Sequence, residues 1–315
     1  MDNWQHNMKS ALKSADSCNK FFKTQQFQEQ DFAIKIPLEF ANIIDKNNPN
    51  DPLLKQVITS KSAPSTLAGF SAEPLADAKN SPVAGLIHKY KNRVLLIASR
   101  VCAIHCQYCF RQNFDYGKND AISNWAAIED YIKKHAEINE VILSGGDPLS
   151  LSDEKLRFLL GKIEAIKHIK TLRIHSRSAV VMPSRLTTKL LQMLNKSKLN
   201  MVLVLHINHP NEISGEFAEA IQKLDKVTLL NQSVLLKGVN DSAQVLSRLS
   251  LALFDLGILP YYLHLLDKVS GAEHFLVSDK NAFELHQELA KKLSGYLLPR
   301  LVRDENLEAK TAVIL

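Results

Sequence analysis

From Arg93 onward the chain carries six short apolar runs, and no other feature restricts its fold so strongly. They are Val94–Ala98, Glu140–Leu143, Thr171–His175, Met201–Ile207, Val227–Leu230 and Pro260–Leu265. Each is nearly continuous rather than alternating, as expected of strands covered on both faces. Helix-like amphipathic stretches lie between and after them: Trp125–His135, Ser152–Ile166, Thr187–Leu194, Ser214–Leu224, Ser242–Leu256 and Asp279–Leu293. Ser152-Asp153-Glu154 is an N-terminal helix signal. After the first run, strands start about every 30 residues, the size of one βα unit. Right-handed crossovers curl such a sheet toward a barrel, and six units are too few to close one of eight strands. The expected fold is α/β, an open partial (βα)6 barrel with its active residues at the C-terminal strand ends.

The rest of the chain divides around that barrel. Residues 1–90 read as a helical N-terminal extension and connector, with a turn at Asn47-Asn48-Pro49-Asn50-Asp51-Pro52 and a Pro/Ala/Ser-containing stretch from Ser60 to about Pro82. Residues 91–295 are the expected barrel and 296–315 a short C-terminal tail. With 45% hydrophobic and 23% charged residues the chain is not a disordered one. No apolar run approaches the roughly 20 residues of a membrane span. Met1 to Lys20 is polar and lacks a signal-peptide apolar region, so a soluble, cytoplasmic protein is expected. The net charge of +6 permits an anionic partner or cofactor, but without a dense basic block it does not point to nucleic acid.

Three of the four cysteines, Cys102, Cys106 and Cys109, fall in one octapeptide directly after the first strand, as C-x3-C-x2-C. A disulfide framework would spread its cysteines, so a metal is expected. Three thiolates can hold three irons of a [4Fe–4S] cluster and leave the fourth open to a small molecule. The alternatives are a zinc site that recruits His105, or chance crowding. Ser144-Gly145-Gly146-Asp147 follows the second strand, where glycines permit close ligand approach or simply make a turn. His206 and Gln232 stand at strand ends, where a histidine is a ligand contact or a satisfied structural group. Arg111 carries a fork suited to a carboxylate. Asp267, after the sixth strand, can pair with an ammonium, cap a helix or pair with Lys268. Lys310 is a candidate Schiff-base amine or a solvated charge.

The cysteine motif after the first strand of a partial barrel resembles the radical S-adenosylmethionine (SAM) enzymes, whose open iron chelates SAM and whose cluster releases a 5′-deoxyadenosyl radical from it. The resemblance narrows with Asn50-Asp51-Pro52, Ser81-Pro82-Val83-Ala84-Gly85-Leu86-Ile87-His88, the SGGDP segment 144–148, the HINHPNE segment 206–212, the NQSVLLKGVND segment 231–241 and Pro260-Tyr261-Tyr262. Together these are similar to lysine 2,3-aminomutases over roughly residues 45–310. Tyr108-Cys109-Phe110-Arg111 and the segment 261–269 resemble the branch that makes β-lysine for elongation factor P.

The resemblance implies a pyridoxal phosphate (PLP)-dependent isomerase that converts (S)-α-lysine to (R)-β-lysine and draws on an external electron donor. It implies a functional link to a β-lysine ligase and elongation factor P, and it is compatible with a homo-oligomer. Cys102, Cys106 and Cys109 would hold the cluster. Gly145, Gly146, Asp147, His206 and Gln232 would meet SAM. Tyr90, Arg93 and Lys310 would meet PLP, with Lys310 catalytic. Arg111 would clamp the substrate carboxylate and Asp267 the side-chain amine. The Gly-rich stretch usual before the PLP lysine is replaced by Asn306-Leu307-Glu308-Ala309, and Ala312 stands where Pro is usual. The register of a second amine-reading carboxylate falls near Arg303, and Asp304 meets it only with a one-residue gap. The C-terminal cysteines that bind zinc in the classical enzymes have no counterpart in this sequence. Action on another amino acid such as glutamate, or β-lysine as a free metabolite, are the alternative readings; a zinc-binding protein is the non-enzymatic one.

Overall fold

The apolar runs pair side by side in the order in which they occur along the chain. The computed structural model describes residues 3–58, 67–75, 77–117, 119–304 and 311–312. Its sheet comprises β1 (Leu86–Tyr90), β2 (Arg93–Ser99), β3 (Glu140–Gly145), β4 (Thr171–Ser176), β5 (Asn200–His206), β6 (Val227–Val234), β7 (Leu259–His264), β8 (Arg300–Arg303) and β9 (Thr311–Ala312). Spatial order equals chain order. Strands β2 to β8 are parallel throughout, whereas β1 and β9 add antiparallel to the two ends and leave the sheet open.

The six expected strands are present as β2 to β7, and each expected helix follows its strand. Most start on a short hydroxyl side chain that satisfies a backbone N–H of the first turn: Ser152 for Lys155, Thr187 for Leu190, Ser214 for Phe217, Ser242 for Val245 and Ser278 for Asn281. The apolar faces of these helices close over the outer face of the sheet. Leu156, Leu159, Ile163, Leu190, Phe217 and Leu249 pack there with Val141, Leu172 and Leu203 in one core.

Three strands lie beyond that expectation. β8 is a seventh parallel strand in register with β7, Tyr262 opposite Arg300 and His264 opposite Val302. Its Arg-Leu-Val-Arg sequence has two apolar residues between arginines, too short a signal for periodicity to register. β1 pairs with β2 through a tight hairpin at Lys91-Asn92, Tyr90 opposite Arg93. The expected boundaries at 90/91 and 295/296 therefore fall close to strands that join the sheet. The N-terminal extension is helical as expected, with helices Asn3–Lys9, Ala15–Phe22, Leu38–Ile43 and Pro52–Lys55. It forms a second core, in which Trp4, Phe22, Ile36, Phe40 and Leu53 meet Ala103, Ile104, Val181 and Met182. No helix among the described residues is long and apolar enough to cross a membrane.

One buried ion pair within the barrel also seats the first helix of the extension, through the Trp4 ring. Arg185 is wholly inaccessible, 2.9 Å from Asp153, with its Nε donating to the Leu149 carbonyl at 2.6 Å and its guanidinium 4.4 Å from the Trp4 ring centroid. Removing the cation strands a buried carboxylate and two carbonyls. Arg185→Leu is expected to lower the unfolding free energy by about 3–5 kcal/mol, read by urea denaturation, and Arg185→Leu/Asp153→Leu to recover only part of it.

Candidate active site

The C-terminal ends of the parallel strands surround one cavity of about 280 Å³. The loop after β2 brings Cys102, Cys106, Cys109 and Arg111 to its wall; β3 and the turn after it bring Gly145, Gly146 and Asp147. β5 ends on His206, β6 contributes Gln232, and Asp267 follows β7. The β1–β2 hairpin supplies Tyr90 and Arg93 from the opposite side. Every expected site residue among the described ones lines this cavity. Lys310 lies outside the described residues.

The cysteine loop carries a donor set that fits a cluster. Burial pushes the Cys109 thiol up to about 12, with the Cys106 thiolate adding to it. Burial likewise holds Cys102 well above the ordinary thiol range, reinforced by Asp147, Cys109 and Cys106. Buried thiols that raise one another in this way ionise readily only where a cationic centre takes up their charge. A [4Fe–4S] cluster gives each of three such thiolates its own iron, and the three cysteines share one loop at the wall of the cavity. His105, the other zinc candidate, has its Nδ1 2.7 Å from the Ala33 carbonyl and its ring stacked on Phe32.

A buried polar network that sequence reasoning missed lies behind the cysteines. The Arg177 guanidinium, at the end of β4, donates to Cys106 Sγ (2.7 Å), Tyr108 Oη (2.5 Å), Gln56 Oε1 (2.7 Å) and Glu212 Oε2 (3.0 Å). Asn208 Nδ2 donates to the same Tyr108 Oη and Gln56 Oε1. His206 stacks on Tyr108, with Nε2 3.1 Å from its hydroxyl. Burial, helped by the nearby Arg177 charge, pushes His206 down to about 3, so its imidazole is neutral near neutral pH. The available signal was an arginine ending an apolar strand, in Arg173-Ile174-His175-Ser176-Arg177.

The glycine turn has a purely structural cause as well. Gly145 adopts φ +112°, and a Cβ on either glycine would lie 2.7 Å from a carbonyl oxygen, that of Ser99 at the end of β2 for Gly145 and that of Val101 in the following loop for Gly146. Asp147 is occupied by the protein itself. Its carboxylate accepts from the backbone N–H groups of Leu149 (2.9 Å), Arg177 (2.7 Å) and Ser178 (2.7 Å) and from Ser176 Oγ (2.8 Å). Asp147 thereby fixes the backbone of Arg177, and any contact it makes with a ligand comes in addition to a saturated side chain.

The remainder of the cavity carries opposite charges. Arg111 is buried, its Nε donating to Asp77 (2.9 Å) and its Nη1 to Ser144 Oγ (3.1 Å). Asp267 is half-buried and close enough to Cys109 to act on its thiol electrostatically. Asp304, immediately after β8, reaches the same cavity, 3.4 Å from Tyr90 Oη and 3.5 Å from Lys89 Nζ. Burial and that carboxylate raise Tyr90 to about 12. The Arg93 guanidinium lies 3.9 Å over the Tyr90 ring, Arg173 is ion-paired with Glu140, and the stacked rings of Tyr261 and Tyr262 complete the wall. Arg93 and Arg173 are cations suited to a phosphate, and the tyrosines are aromatic surface suited to a planar ring.

Comparison with known proteins agrees with this layout. The Radical SAM superfamily profile matches residues 96–243, from β2 to the helix after β6. The L-lysine 2,3-aminomutase of Escherichia coli (strain K12) is 50% identical over 276 residues, covering 87% of this chain and 80% of that protein. The protein of the same name from Haemophilus influenzae is 50% identical over 276 residues (87% and 82%), and that from Buchnera aphidicola subsp. Baizongia pistaciae 45% over 289 residues (91% and 85%). Identity of this extent over most of both chains makes the chain a member of the lysine 2,3-aminomutase family of radical SAM enzymes.

Proposed function

We propose that this enzyme converts (S)-α-lysine to (R)-β-lysine with a [4Fe–4S] cluster, SAM and PLP, and that the product is destined for attachment to elongation factor P by a separate ligase. The observation that carries the lysine reading is the convergence of Cys102, Cys106, Cys109, Arg111 and Asp267 on one cavity. The elongation factor P assignment rests on the motifs at 108–111 and 261–269.

When bound, the cluster and SAM supply a carbon-centred radical and PLP supplies the conjugated carbonyl that carries a migrating amine. The chain binds and orients. Cys102, Cys106 and Cys109 are the cluster ligands, with Gly145, Gly146, Asp147, His206 and Gln232 on the SAM side. Tyr90 and Arg93 are on the PLP side with Lys310 as the covalent anchor, and Arg173 is a further phosphate candidate. Arg111 takes the substrate carboxylate; Asp77 and Ser144 fix the plane of its fork. Asp267 takes the distant ammonium, and Asp304 adds a second carboxylate in the same cavity. Holding lysine at both ends fixes Cβ relative to the radical source, where a displacement of about 1 Å costs roughly 100-fold in rate. Asp267 and Asp304, on the part of the cavity away from the cysteines, favour a cationic side chain over glutamate.

Anaerobic reconstitution with iron, sulfide, SAM, PLP, a reductant and α-lysine, read by chiral mass spectrometry, is expected to yield (R)-β-lysine. Replacing any of Cys102, Cys106 or Cys109 by Ala abolishes both β-lysine formation and SAM cleavage. SAM cleavage without β-lysine in the native protein would overturn the substrate assignment. Asp267→Ala is expected to cut lysine turnover at least tenfold through loss of a charge-assisted contact and to leave iron content unchanged; unaltered kinetics would remove its assigned role. Because burial pushes His206 down to about 3, it is already neutral throughout the range between pH 6 and 8, and an acid limb of the rate there belongs to another group. His206→Asn therefore keeps the shape of that profile while weakening SAM binding.

A further inference from the structure

The cysteine loop is held from outside by the N-terminal extension. The His105 backbone N–H donates to the Lys35 carbonyl at 2.9 Å, and His105 Nδ1 bonds the Ala33 carbonyl. Two residues on, the Gln107 N–H donates to the Gln56 carbonyl at 2.9 Å and its side-chain amide to the Val57 carbonyl at 3.2 Å. Ala103 and Ile104, between the first two cysteines, are buried in the core of the extension, and Cys106 packs against it. Lys35 completes the brace: its Nζ donates to the Cys102 carbonyl at 2.5 Å. The Lys35 side chain thus bears directly on the backbone of the first cysteine.

These contacts all act on the loop rather than on the cavity. A loop that must present three thiolates in fixed positions gains from being ordered before the cluster arrives, because the ordering entropy is then already spent. We propose that Lys35 is a positioning residue of the cluster site: through the Cys102 carbonyl it sets the backbone of the first ligand, so that residues 32–57 belong functionally to the [4Fe–4S] site. The inference rests on the reading of the three cysteines as cluster ligands.

The test compares the full-length protein with Lys35→Met, which keeps the stem and removes the donor and charge, and Lys35→Arg, which keeps both. Iron-free samples are first melted to read folding alone. Reconstituted samples are then challenged anaerobically with a ferrous chelator and iron release is followed by absorbance. Lys35→Met is expected to melt with the native protein when iron-free and to release iron about tenfold faster, the loss expected of one charge-assisted hydrogen bond. Lys35→Arg restores the native rate. Native release by Lys35→Met overturns the proposal, as does a matching fall in iron-free melting temperature that Lys35→Arg fails to relieve, which would make Lys35 a packing residue only. A native protein that takes up no cluster would instead remove the cluster reading itself.

Discussion

The site hangs on one buried cation. The Arg177 guanidinium sits at the junction of four segments: the end of β4, the cysteine loop through Cys106 and Tyr108, the N-terminal extension through Gln56, and the turn after β5 through Glu212. Glu212 is wholly inaccessible and balances the charge, while its other oxygen accepts from the backbone of Asn208 and His209. A buried ion pair of this kind adds little net stability, but removing either partner is expensive. It therefore acts as a register pin. Elements that share no covalent neighbourhood meet in one arrangement because that arrangement gives the two Nη groups of Arg177 their four acceptors. Asp147 extends the same logic by fixing the Arg177 backbone from the turn after β3.

The chemistry needs two kinds of wall, and the sheet supplies them from different ends. The early parallel strands carry the cysteine loop, the glycine turn and Arg177, a region dominated by sulfur, backbone and buried cations. The last strands and the β1–β2 hairpin carry Asp267, Asp304, Tyr90 and the tyrosine pair, an aromatic and acidic region. The open sheet lets both reach one cavity without either closing it, and the antiparallel additions at its two ends satisfy backbone groups that would otherwise stand as bare edges.

Much of this was legible before any coordinates. The apolar runs specified β2 to β7 because a strand buried on both faces leaves an unbroken signal. The cysteine spacing placed three thiolates together because it lies within one loop. What sequence hid was long-range or too short. Arg177, Glu212 and Gln56 are separated by up to 156 positions, and none has a pattern that announces its partners. β8 has four residues, and only its pairing with β7 makes it a strand. Asp304, which the family register meets only with a one-residue gap, reaches the cavity at the end of that strand. Gly145 and Gly146 were read toward a ligand, and the neighbouring backbone also demands them.

The identity of spatial order and chain order has a bearing on how the molecule is made. Each strand adds to an edge formed by the one just before it, so a growing chain never has to leave a gap for a later segment to enter. For strand pairing, loop-closure costs stay those of single βα units, and the described strands need no backbone pairing between the first and the last. The braced cysteine loop belongs to the early part of synthesis, whereas β8 and Asp304 come late. The half of the cavity that carries the three cysteines and Arg111 can thus be organised on a nascent chain before the half that carries Asp267 and Asp304 exists.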